Sequence, residues 1–384
     1  MKILMCLTYY YPHWTGLTAY AKRLAEGLAQ RGHQVTVVTS WFDRSTPREE
    51  LYHGVRIVRL PAPIRLSRGR IQPSFCSVVR RLVREHDVVQ VHTPMLETWL
   101  VGTLAHRAGR KLLMTHHGDL VMPAGVWDQF VQKTVGYLQD RGAATADVIS
   151  THSQDYADHS EYLRPFADKV VAIYPPVDMP QPDPAAVAAW RAELGLNGDR
   201  EHSPRKLVGF AGRFVEEKGF DFLMRAIPLV REQLPGCRFV YAGDPNVVYE
   251  RFFQQCVALF DACSADVTML GLIREPQRLA NFYAMCDVFC VPSRTDCFPS
   301  VQLEALMCGT PLVTADIPGA REVVKVTGMG RLVEPRNERA LADGLVEVLT
   351  HRQAYMRPYE EISATFDVAR SVQEYERLLQ SMVG

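Results

Sequence analysis

The feature that most constrains this chain is an alternation, met twice, of short apolar β-branched runs with amphipathic helical stretches. Strand-like runs fall at 3–7, 34–39, 55–59, 88–91, 111–115, 148–151 and 170–173, and again at 207–211, 238–242, 267–270, 288–291, 311–314 and 330–333. The intervening segments carry helical periodicity. In 18–30, Ala21, Leu24, Ala25 and Leu28 recur at i, i+3, i+4 and i+7, and Gly32 stands just past the end as a helix stop. Helices are also predicted near 185–194, 339–349 and 367–382. Strands without polar alternation, separated by helices, are buried on both faces, which predicts doubly wound parallel α/β sheets. Between the two sets, residues 174–184 hold five prolines in eleven positions, which no helix or central strand tolerates. The expected organisation is an N-terminal Rossmann-like domain at 1–178, a linker and connecting helix at 179–206, a C-terminal Rossmann-like domain at 207–360, and a terminal helix at 361–384 packing back on the first domain. Such sheets bind ligands at the carboxyl ends of their strands, so a cleft between the two domains is the expected site.

Length supports two cores, since 384 residues exceed one ordinary hydrophobic core. The 43 Lys and Arg balance 43 Asp and Glu, which argues against a nucleic-acid binder. The balance is uneven: residues 1–180 carry 21 basic against 16 acidic side chains, leaving the N-terminal half basic. Nine cysteines without a C-x-x-C pair read as buried thiols in a reducing compartment. The opening apolar run is too short for a signal peptide, and no run approaches the ~18 apolar residues of a spanning helix. A cytoplasmic enzyme is expected, able to sit peripherally at the inner membrane face.

Three stretches carry chemistry. The turn Pro12-His13-Trp14-Thr15-Gly16 joins the first strand to the first helix; Gly16 lets backbone approach a ligand and Thr15 suits an N-cap, although an ordinary strand–helix turn reads equally well. Gly212-Arg213-Phe214-Val215-Glu216-Glu217-Lys218 follows the first strand of the second domain and spaces two cations as R-x-x-x-x-K, a pair able to neutralise a diphosphate leaving group. In 292–311, Asp296 and Glu304 stand eight apart, with a helix expected to open at Ser300. The N–H groups of Ser300 and Val301 would face an anion, and carboxylates accept hydrogen bonds from vicinal hydroxyls.

These motifs occur in order: the Gly-turn, R-x-x-x-x-K, Gly271-Leu272-Ile273, Tyr283-Ala284-Met285-Cys286-Asp287, Pro292-Ser293, the acid-x7-Glu string and Gly309-Thr310-Pro311. The chain resembles glycosyltransferase family 4, retaining enzymes of GT-B fold that use nucleotide sugars. The resemblance implies that Asp296 contacts the transferred sugar and Glu304 the ribose. It also implies that Arg213 and Lys218 hold the diphosphate, that a loop including Ile273 and Arg274 holds the base, and that His117 lies beside the anomeric carbon. Gly16, Gly212, Ser300 and Val301 complete the expected donor site, and His92 and Asp119 are candidate acceptor contacts. Neither a metal nor a cofactor is expected. The sequence departs from the family at Asp296 for the usual glutamate, at Phe298-Pro299 for Phe-Gly, and at Thr15-Gly16 for Gly-Gly.

The expected activity is transfer of a hexose from a nucleoside diphosphate sugar to a lipid or saccharide acceptor with retained configuration, uridine expected ahead of guanosine. A nucleotide-sugar epimerase, a phosphorylase of the same fold and a non-catalytic binding subunit are the alternatives. One further segment stands out: Arg56, Arg59, Arg65, Arg68, Arg70, Arg80, Arg81 and Arg84 occur without an intervening acid. It reads as an anionic-membrane patch or as a solvated face.

Overall fold

A computed structural model of the chain describes residues 1–13, 15–66, 69–119, 126–196, 203, 205–245 and 251–384; at 64–66, 69–70 and 126–134 only the backbone is described. Much of the polar stretch 197–206 therefore lies outside the described residues, as do Trp14 and Arg68. The chain divides into two compact units, Met1–Pro176 with Val368–Gly384, and Val177–Asp367.

The first unit is built on an eight-stranded sheet. In spatial order its strands are Val170–Ala172, Val148–Thr151, Lys111–His116, Val88–Thr93, Lys2–Cys6, Gln34–Trp41, Val55–Pro61 and Glu49–Tyr52. All neighbours pair in parallel except the last, an antiparallel edge. The sheet turns back on itself between Lys2–Cys6 and Val88–Thr93, the topological switch point of a doubly wound sheet. The first helix, Gly16–Gln30, starts two residues before its predicted position because Thr15 caps it. Thr15 and Thr18 exchange backbone-to-side-chain bonds of 2.8 and 3.3 Å, a reciprocal cap that ties up two end N–H groups. Short Glu49–Tyr52 and the hairpin Ile64–Leu66/Gly69–Ile71 were not predicted, being too brief and polar for a periodic signal.

The last helix, Val368–Val383, belongs to this first unit. Val372, Tyr375 and Leu379 enter its core, with Val372 filling the space over Gly27. Tyr20 Oη donates to Tyr375 Oη, Tyr375 Oη donates to Ser150 Oγ at 3.1 Å, and Glu376 bonds Arg31 and His33, each at 2.7 Å.

The second unit carries six parallel strands in the order Val267–Gly271, Arg238–Ala242, Leu207–Ala211, Val288–Val291, Leu312–Ala315, Gly330–Val333. Its switch point lies between Leu207–Ala211 and Val288–Val291. The connecting helix Pro184–Glu193 is anchored here: Asp287, fully buried, accepts from Leu207 N at 2.7 Å and faces Arg191 Nη1 at 3.3 Å. A buried carboxylate in this position needs both partners, because an unpaired buried charge is costly.

No helix among the described residues is long and apolar enough to cross a membrane. A chain ending at Asp367 would lose the buried apolar side chains of Val372, Tyr375 and Leu379, each contributing roughly 1.5–3 kcal/mol. That sum is comparable to the whole stability of a domain, so limited proteolysis of the shortened chain should cut throughout 1–176 while Val177–Asp367 stays resistant. Unchanged protection of 1–176 would contradict the integral place of the last helix.

Candidate active site

In the second unit the cluster begins where Leu207–Ala211 ends. Gly212, at φ +131°, donates to Ala242 O at 3.0 Å and accepts from Tyr241 Oη at 2.6 Å. Arg213 follows, and the chain tightens into a 3-10 turn, Glu216–Lys218, closing on Gly219 at φ +65°. A Cβ on Gly219 would lie 2.0 Å from the Pro292 carbonyl oxygen, so only glycine lets this turn meet the loop after Val288–Val291. Arg294 from that loop clamps the crossing. Its Nη1 donates to Glu216 O at 2.7 Å, its guanidinium takes both oxygens of Asp221 at 2.7 and 2.8 Å, and it stacks over Phe222. Bidentate pairing of this kind fixes geometry as well as charge.

The clamp brings Lys218 Nζ to 2.5 Å from Asp296 Oδ2. Arg213 is turned to Glu217 at 3.1 Å, an exposed pair of little energetic worth. Gly319, at φ +80°, passes so close to Cys297 O that a Cβ would meet it at 2.1 Å, which holds the Asp296–Cys297 backbone. The helix Ser300–Met307 starts as predicted, with no side-chain cap. Pro299, in place of the usual glycine, contributes no N–H there, leaving Ser300 and Val301 as the first donors. Within the helix Glu304 is buried and its Oε2 accepts from Tyr283 Oη at 2.8 Å. Ile273 is buried and Arg274 exposed in the loop after Val267–Gly271.

In the first unit three strand ends each deliver a histidine: His92 near the end of Val88–Thr93, His117 just after Lys111–His116, and His152 just after Val148–Thr151. His92 Nδ1 lies 2.9 Å from His117 Nε2, and His117 Nδ1 lies 3.1 Å from His152 Nε2. Tyr20 packs against all three rings, with centroid distances of 5.9, 4.7 and 4.9 Å. Burial pushes His92 and His152 down to about 3 and holds His117 well below its ordinary value, and for His117 and His152 the neighbouring histidines add to the effect. His92, expected at an acceptor, is thus buried against His117. Asp119, the other acceptor candidate, is bonded to His116 at 3.0 Å, to Ser160 and, through its N–H, to Tyr156. Burial raises its carboxyl, but His116, Tyr156 and Ser160 together carry it below the usual value. Gly16 opens its helix with open space around its Cα.

The sequence reading missed His152, Tyr20 and Arg294. The histidines were legible as a pattern, one at each of three successive strand ends. The Arg294–Asp221 pair, 73 residues apart, carries no local signal.

The fold and these clusters define a glycosyltransferase of GT-B type. Residues 14–180 match Glycosyltransferase Family 4, and residues 205–351 match Glycosyl transferases group 1. A D-inositol 3-phosphate glycosyltransferase of Saccharomonospora viridis is 30% identical over 87% of this chain and 80% of its own length. A GDP-mannose-dependent alpha-(1-6)-phosphatidylinositol monomannoside mannosyltransferase of Mycolicibacterium smegmatis is 28% identical over 88% of this chain and 86% of its own. Among solved structures, Anabaena HepE in complex with UDP and glucose superposes with a TM-score of 0.78 at 20% identity, covering 99% of this chain and 100% of that one. The chain belongs to glycosyltransferase family 4 and is a hexosyltransferase.

The buried histidines set an acid-stability prediction. A histidine depressed in the folded state is protonated first in the unfolded chain, so its contribution is full above about pH 6.5 and is lost as pH falls towards 3. Each contributes up to about 1.4 kcal/mol per pH unit in that window. Urea unfolding between pH 7 and pH 5 should therefore show steeply falling stability, and His152→Gln should flatten the slope by about one proton. Equal slopes in both proteins would contradict neutral burial of His152.

Proposed function

We propose that the chain transfers a hexose from a nucleoside diphosphate sugar to a hydroxyl of a saccharide or lipid acceptor, with retention of anomeric configuration. The observation that carries this is the grouping, at one switch point, of Lys218, Asp296, the N-terminus of Ser300–Met307 and Glu304. Phosphate oxygens need the ammonium and the N–H groups of Ser300 and Val301, with Arg213 within the same loop. The ribose hydroxyls need a carboxylate held in place, which Tyr283 supplies for Glu304. Asp296 takes hydroxyls of the transferred sugar. In the free protein Lys218 and Asp296 neutralise one another, and a donor replaces that contact with two, ammonium to phosphate and carboxylate to sugar hydroxyl. The base rests at Ile273 and Arg274. Uridine is favoured over guanosine from the sequence, while the two relatives described above act on inositol-type acceptors, one of them a GDP-mannose enzyme.

An anionic or membrane-borne acceptor fits the basic first unit. Of its arginine run, Arg56 pairs with Glu49 and buried Arg59 with Glu50, and both serve the fold. Arg80, Arg81 and Arg84 are exposed on the helix Phe75–Glu85, whose Phe75, Val79, Leu82 and Val83 are buried. Each such arginine near an anionic surface contributes on the order of 1 kcal/mol.

Mass spectrometry of products from a panel of UDP- and GDP-hexoses with inositol phosphate and lipid acceptors tests the reading. It expects a glycosylated acceptor and one free nucleoside diphosphate per transfer; hydrolysis alone, or turnover only with inorganic phosphate, would overturn it. Lys218→Ala should slow transfer roughly 10²–10³-fold, the scale of removing one preorganised charge. Calorimetry divides the acids: Glu304→Gln should weaken donor and free diphosphate alike, and Asp296→Asn should weaken chiefly the donor. Equal losses in both variants would refute that division. For the surface, vesicles containing anionic lipid should bind the chain at low salt and release it as salt rises. Replacing Arg80, Arg81 and Arg84 by Ser should abolish binding without changing donor affinity. A wild-type chain that ignores anionic vesicles at low salt leaves a soluble acceptor as the better reading.

A further inference from the structure

The three histidines of the first unit form a chain rather than a convergent set. His117 spends its two nitrogens on two different neighbours, Nε2 on His92 and Nδ1 on His152. A neutral imidazole has one N–H and one bare nitrogen. If His117 carries its proton on Nδ1, it donates to His152 Nε2 and must accept from His92, so every ring is Nδ1–H. If it carries the proton on Nε2, every ring is Nε2–H. Any mixed state sets two bare nitrogens or two N–H groups against each other at about 3 Å. The ends are buried and unpartnered at both limits, His92 Nε2 on one side and His152 Nδ1 on the other. Such orphan atoms are costly, and an apolar side chain at either position would avoid them. The walls are uncharged: Tyr20 from Gly16–Gln30 lies over all three rings, and Tyr375 from the last helix backs Tyr20. His116, the other titratable neighbour, is turned to Asp119, and among the described residues no carboxylate bonds to any ring of the chain.

We propose that His92 and His152 are positioning residues that hold His117 in one orientation and tie its tautomer to theirs, so that the protein rather than the ligand decides how His117 stands at the reacting sugar. This rests on the reading of His117 as the residue beside the anomeric carbon. Because both its nitrogens are engaged, His117 meets the sugar with the rest of its surface, and its placement depends on the two neighbours. A substitution at either end frees the ring to rotate or to exchange tautomers without touching the donor residues of the second unit.

The test has two arms. In wild-type protein with ¹⁵N-labelled histidine, the nitrogen shifts of His92, His117 and His152 at neutral pH should report the same tautomer in all three rings; different tautomers among them would overturn the proposal. In the second arm, His92→Phe and His152→Phe should each lower kcat roughly ten- to a hundredfold with the donor KM little changed, the scale of unpairing one buried imidazole nitrogen. His152→Gln, whose amide reaches the same point and can donate or accept, should restore most of that loss. Wild-type kcat in both Phe variants alongside an inactive His117→Ala would overturn the positioning role and leave His117 in place. Wild-type kcat in His117→Ala would instead remove His117 from the reaction.

Discussion

The second unit depends on a crossing for which only glycine has room. Gly219 passes the Pro292 carbonyl with no space for a Cβ, and that close approach joins the loops after the neighbouring strands Leu207–Ala211 and Val288–Val291. Arg294 of the second loop reaches Asp221 and the Glu216 carbonyl of the first, and Lys218 and Asp296 meet across the same two loops. The doubly wound strand order sets both loops at the same sheet edge, where such folds take their ligands. The close approaches that glycine allows at Gly219 and Gly319 set these charged side chains beside one another.

The two units gather different polar groups at their strand ends. The second pairs charges: Asp287 with Arg191, Asp221 with Arg294, Asp296 with Lys218. Each pair gives a carboxylate that is largely out of water the partner it needs. The first gathers three imidazoles, His92 and His152 buried and His117 half-buried, and holds their pKa values low enough to keep them neutral. With Tyr20 they form a neutral, hydrogen-bonded wall. The last helix serves this wall through Tyr375, so the end of the chain supports the histidines from a distance of more than two hundred residues in sequence.

Much of this was legible in the sequence. The β-branched runs fall on observed strands because a parallel sheet buried on both faces needs continuous apolar residues. The prediction of a helix opening at Ser300, and of Thr15 as a cap, rested on local signals and matched the structure. What the sequence hid is tertiary. Glu49–Tyr52 is an edge strand with a half-polar pattern, and its pairing is decided by Val55–Pro61 rather than by its own residues. The clamp of Arg294 on Asp221 and the meeting of His92, His117 and His152 depend on strand order, which no spacing along the chain encodes. His92 read as a candidate acceptor contact because it ends a strand, and here Tyr20 and the imidazole of His117 cover it.

The most direct test of this account is a crystal structure of the chain with a nucleoside diphosphate bound. The account predicts that Lys218 Nζ leaves Asp296 for a phosphate oxygen, that Ser300 and Val301 donate their N–H groups to the diphosphate, and that Glu304 keeps Tyr283 while accepting the ribose hydroxyls. A nucleotide bound away from the Ser300–Met307 helix, or a diphosphate bound with the Lys218–Asp296 pair intact, would contradict it.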